Sequence, residues 1–112
     1  MAVAVFLGMA PTVGDIGSCG QEADQLDAPT FFDIKAGLDC QKCGECGLRG
    51  RLCDRACKEP PARTFPSGCR PLVHDGEVCL RALIHASCDD YALYVDDTAP
   101  TAPSECQFCP TR

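Results

Sequence analysis

Cys40 to Cys57, CQKCGECGLRGRLCDRAC, sets five cysteines in eighteen residues, with two, two, six and three residues between successive sulfurs. What those sulfurs bind decides the fold. Cysteines at this density serve as disulfides, as zinc thiolates or as ligands of an iron–sulfur cluster. Cys40, Cys43 and Cys46 begin as a bacterial ferredoxin run does, but such a run places its next cysteine three residues on and then a proline. Here Cys53 follows after six residues, and Asp54 comes next. A zinc reading takes Cys40, Cys43, Cys53 and Cys57 as a four-sulfur set and leaves the remaining cysteines unexplained. A c-type haem needs histidine directly after its CxxC, where this chain has Gly44.

Composition favours disulfides. The chain holds eleven Cys in 112 residues, with no Trp, five Phe and two Tyr. So short a chain with so few large apolar side chains cannot offset its conformational entropy by burial alone and depends on cross-links. The expectation is one small disulfide-rich, mainly α-helical domain of short helices and irregular loops. Leu52, Cys53, Ala56 and Cys57 suit a helical turn or two that puts both cysteines on one face, where each bonds to another element. Turns are expected at Gly44 and Gly47, and Pro60-Pro61 ends the element.

Upstream, Thr30 and Asp33 form a capping-box pattern, and Phe31, Ile34 and Leu38 follow at i, i+3 and i+7, which predicts a helix over 31–39 that delivers Cys40. Downstream, Asp75 is a candidate N-cap, and Cys79, Ala82, Leu83 and Ala86 repeat at helical spacing. Ser87 with Asp90 is a second capping box, before Cys88, Tyr91, Ala92 and Val95. Each stripe begins with a cysteine, so its sulfur ties the edge of a thin core to a neighbour. The proline-punctuated segment DDTAPTAPSE then carries Cys106 and Cys109 back to the body.

At the other end, MAVAVFLGMA (1–10) is an uncharged apolar run of signal-peptide length, too short to span a bilayer. Ile16-Gly-Ser-Cys19 resembles the lipobox of bacterial lipoproteins, in which the cysteine is lipidated. Cysteine parity agrees: with Cys19 lipidated, ten remain (Cys40, Cys43, Cys46, Cys53, Cys57, Cys69, Cys79, Cys88, Cys106 and Cys109), enough for five disulfides whose pairing the sequence leaves open. The expected organisation is a signal-like segment over 1–18, a flexible acidic tether over 19–29 and a cysteine-rich domain over 30–109.

Several function classes recede. A net charge of -6 disfavours a nucleic-acid surface. The local basic stretch with Arg49, Arg51, Arg55 and Lys58 reads as a solvated face attracted to the chain's own acidic segments. His74 reads as a surface histidine at a helix start and His85 as a histidine within a helix, no serine stands in a G-x-S-x-G elbow, and Asp89-Asp90 and Asp96-Asp97 read as helix-start charges and a solvated turn. No enzymatic activity and no cofactor are expected.

The segment CRPLVHDGEVCLRALIHASCDDYALYV (69–95) with APTAPSECQFCP (99–110) resembles the small cysteine-rich secreted lipoproteins encoded in many copies by myxobacteria and related Gram-negative bacteria. Their C-x-x-A-L…S-C-D-D pattern falls on Cys79, Ala82, Leu83, Ser87, Cys88, Asp89 and Asp90. The resemblance implies a lipid-anchored protein of the cell envelope, without assigned activity, and Gly20 after Cys19 agrees with an outer-membrane destination. Two alternatives remain at this point: a cytoplasmic zinc-binding interaction module built on the Cys40–Cys57 cluster, and a periplasmic thiol–disulfide protein using Cys40-Gln-Lys-Cys43 or Cys106-Gln-Phe-Cys109.

Overall fold

A computed structural model describes residues 24–109. Helix α1 spans Ala28–Cys46, α2 Arg51–Lys58, α3 Val73–Ile84 and α4 Cys88–Tyr94, followed by a 3-10 turn at Ser104–Cys106. Among the described residues there is no strand beyond one isolated bridge between Gln25 and Leu72, so the fold is mainly helical and, with five disulfides, disulfide-rich.

The first helix is more than twice as long as the 31–39 expected. Its cap is Asp27, whose carboxylate accepts from the Thr30 amide at 3.0 Å and the Thr30 hydroxyl at 2.6 Å; Thr30 thus serves the cap from inside the helix. Gly37 and Gly44 do not break the helix, and the turn expected at Gly44 is absent. The helix ends at Gly47, where the Leu48 amide closes on the Cys43 carbonyl at 2.9 Å. Cys40, Cys43 and Cys46 therefore lie on one helix, each about 60° round from the last at 3.6 residues per turn. They aim at successive partners. Phe31 is buried and Leu38 packs on the core, whereas Ile34, expected on the same stripe, is 51% exposed.

The second helix starts where the sequence offers no capping side chain. Gly50, at φ 149°, precedes it in a conformation open essentially to glycine alone. The cap comes from Asp97, which accepts from the amides of Arg51 at 2.8 Å and Leu52 at 2.9 Å. A Cβ on Gly50 would meet the Asp97 Oδ2 at 2.7 Å. These hydrogen bonds, Arg51's first, hold the Asp97 carboxyl below the usual carboxylate range. The cap is complete above the unfolded carboxylate pKa and is lost as pH falls through the depressed folded one. The turn expected to be merely solvated at Asp96-Asp97 thus ties α4's exit to α2.

The third helix begins at Val73, two residues before the expected cap; Asp75 sits inside the first turn and accepts from the Leu72 amide at 2.9 Å. Residues 24–26, placed in the tether by the sequence, lie against this start: Val73 donates to the Asp24 carbonyl at 3.0 Å and Leu26 to that of Pro71 at 2.9 Å. Leu26 packs so closely on Gly76 that a Cβ there would stand 2.7 Å from its Cδ1. Ser87 caps α4 as its sequence pattern suggests, accepting from the Asp90 amide at 3.1 Å. Of the two stripes, Cys79, Leu83, Tyr91 and Val95 are buried, while Cys88 and Ala92 face solvent.

The core is thin: Phe31, Cys43, Cys53, Cys79, Leu83, Tyr91 and Val95. Three of these seven are disulfide sulfurs, so cross-links fill volume as well as joining chain. Phe31, Phe32, Phe65 and Phe108 form a second apolar layer, ring centroids 5.1–6.1 Å apart, that pins the proline-rich loop and the C-terminal segment to α1.

Candidate functional site

The five bonds are Cys40–Cys57, Cys43–Cys53, Cys46–Cys88, Cys69–Cys109 and Cys79–Cys106. They form two nested sets. On α1 the sulfurs stand at i and i+3, on α2 at j and j+4, and the pairing runs in opposite order, so two rungs lock α1 and α2 as an antiparallel hairpin. Cys69–Cys109 likewise encloses Cys79–Cys106. Cys46–Cys88 is the one bond among the described residues that joins the first set to α4 and thus to the second half.

This pairing corrects two alternatives. The four sulfurs of the zinc set are bonded pairwise and present no thiolates to a metal. Nor does either CxxC close on itself, as a thiol–disulfide exchange motif must: Cys40 and Cys43 bond to α2, Cys106 to Cys79 and Cys109 to Cys69. Among the described residues no three His, Cys, Asp or Glu side chains gather as a metal set. His74 and His85 stand exposed at the start and just past the end of α3. Cys19 lies outside the described residues, as do the signal-like segment 1–18 and the first part of the tether.

A polar network at the core is not visible in the sequence. Tyr91, fully buried on α4, donates its hydroxyl to Asp39 Oδ1, and Lys35 donates to Asp39 Oδ2 at 2.8 Å. Lys42 Nζ reaches the Ala86 carbonyl at 3.3 Å and stands 5.8 Å from the Tyr91 ring centre. Burial first, then the hydrogen bond to Asp39 and its negative charge, push the Tyr91 phenol far above its ordinary pKa. A phenol so held donates a hydrogen bond and is no base, and both Asp39 oxygens are engaged. The network fixes α4 against α1. Its one sequence signal is the i, i+4 spacing of Lys35 and Asp39; the 52-residue separation of Asp39 and Tyr91 gives none.

An open cavity of about 250 Å³ lies between α1, α2, the 60–62 segment and the end of α4. Phe32, Leu52, Ala56, Tyr94 and Val95 line it with the charged pairs Lys35–Asp39 and Arg55–Glu59, the latter solvent-exposed at 3.6 Å. A second, of about 150 Å³, lies among the phenylalanines and the Cys79–Cys106 bond. These two fall short of the roughly 300–1,000 Å³ of ordinary small-molecule sites; a larger hollow, of about 520 Å³, lies over the Cys40–Cys57 and Cys43–Cys53 bonds between α1 and α2. No helix of the described residues is long and apolar enough to cross a membrane. Comparison with protein-family models, with curated proteins and with solved structures finds no match.

Proposed function

We propose that this chain is a lipid-anchored, disulfide-stabilised protein of the cell envelope, without enzymatic activity, exported by the apolar segment over 1–18 and held at the outer membrane through Cys19. The carrying observation is the use of cysteine. Ten of the eleven close on one another within residues 24–109, which fits an oxidising compartment and leaves Cys19 no partner among the other cysteines of these 112 residues. A thioether to lipid caps such a sulfur, and Ile16 to Cys19 is the lipobox-like stretch.

Cysteine replacement tests the anchor. In the host, the wild-type protein is expected in the membrane fraction and in the detergent phase of a Triton X-114 partition. The Cys19→Ala protein, exported behind the cleavable signal of a secreted protein in place of residues 1–18 and with the same five disulfides, is expected in the aqueous phase. Equal partition of the two forms overturns the anchor.

A further inference from the structure

We infer that the end of the domain formed by residues 24–26 and the start of α3 is its membrane-facing surface, with Leu72 and Val73 seated among the headgroups of a zwitterionic lipid leaflet. This rests on the anchor proposed above and adds to it an orientation and a contact.

The geometry follows from where the docked chain begins. Asp24 is already fixed, its carbonyl accepting from Val73 at 3.0 Å, and Leu26 is fixed by Pro71 and by its seat on Gly76. Five Cα–Cα steps separate Cys19 from Asp24, a reach of at most about 18 Å in any conformation. A lipid on Cys19 thus holds the start of α3 against the bilayer. The other end of α3, at Ile84, lies about 16 Å further along the helix at 1.5 Å per residue.

What stands at the held end is apolar. Leu72 and Val73 are each 37% exposed, although Leu72 forms the bridge to Gln25 and Val73 donates to the Asp24 carbonyl. Two such side chains would not bind a bilayer by themselves. A short tether makes the contact intramolecular and raises the effective concentration of lipid, so a small apolar contact suffices. The charge of the two segments that meet here, 24–27 and 70–77, is mainly acidic, Asp24, Asp27, Asp75 and Glu77 against Arg70, which disfavours an anionic leaflet and fits a zwitterionic lipid such as phosphatidylethanolamine.

The chain contains no Trp, so one introduced Trp reports its own depth. Val73→Trp and Ile84→Trp proteins are purified from host membranes and reconstituted in phosphatidylethanolamine vesicles with brominated acyl chains; Leu72→Trp replaces the first if it fails to fold. Flotation with the vesicles reports the anchor, and quenching reports the surface. The expected result is flotation of both, with the indole emission of Val73→Trp quenched several-fold more than that of Ile84→Trp. Flotation with equal quenching, with stronger quenching at position 84, or with none at either site, overturns the surface and leaves the anchor standing. Failure to float overturns both.

Discussion

Full reduction of the native protein is expected to abolish its helical fold at room temperature, with no denaturant present. Loop closure gives the scale. The bonded cysteines are separated by 10, 17, 27, 40 and 42 residues, and in the chain-entropy view single closures of this size contribute about 2.7 to 4 kcal/mol. The outer bond of each nested set counts for less, because the inner one has already shortened its loop. The total is still on the order of 10 kcal/mol, comparable with the roughly 5–15 kcal/mol net stability of ordinary domains. The remaining core cannot replace it: of its seven buried residues, Cys43, Cys53 and Cys79 are sulfurs of these bonds. Circular dichroism of the protein, reduced by a phosphine and alkylated, checks this. Loss of the helical signal is expected; a cooperative melt that survives alkylation of all ten thiols contradicts the dependence on cross-links.

Tyr91 is expected to be the most sensitive single position outside the cysteines. It has no exposed surface, and its truncation to Ala removes a large aromatic group from a small core, at about 3–5 kcal/mol. Tyr91→Phe isolates the hydroxyl. A hydrogen bond to a charged carboxylate contributes about 1.5–3 kcal/mol, and Asp39, which keeps Lys35, should retain part of its satisfaction. The two variants therefore separate packing from hydrogen bonding. The phenol also makes stability pH-dependent with a fixed sign. Its folded pKa is raised while its unfolded pKa is about 10, so the unfolded chain loses the proton first. The contribution is complete below about pH 10 and is lost as pH rises beyond it. Urea melts between neutral pH and pH 11 should show an alkaline fall in the wild type that is smaller in Tyr91→Phe. Some fall remains in the variant, because Tyr94 is raised too, by burial and then by Asp90 and Glu105. Parallel curves for the two proteins would contradict the hydroxyl's role.

The class of fold is legible because composition and spacing agree: many cysteines and few large apolar side chains call for cross-links, and apolar residues and cysteines repeating at helical spacing put those cross-links on helices. Local signals also carry well where both partners lie within one turn, as with Ser87 and Asp90. The first helix outruns its sequence reading for a physical reason. Cys40, Cys43 and Cys46 look like a turn-rich ligand loop beside Gly44 and Gly47, yet i, i+3, i+6 is also a helical stripe, and the i, i+4 pair Cys53 and Cys57 is its complement. Read together, two helically spaced cysteine pairs across a short glycine-containing link describe a bonded hairpin. The rest requires distance information. Asp97 caps a helix 46 residues earlier, Asp39 meets Tyr91 across 52, and ten cysteines admit hundreds of pairings. Nothing local encodes those choices; they follow only once the helices are packed.

The central claim is the division of the cysteines, ten in five bonds and Cys19 apart, and the intact mass of the protein from its host, before and after reduction, tests it most directly. The account predicts a chain that begins at Cys19, carries the mass of an acylated glyceride and gains about ten hydrogens on reduction, two for each of five disulfides. A chain that keeps residues 1–18, carries no lipid and takes up no hydrogen on reduction would contradict it.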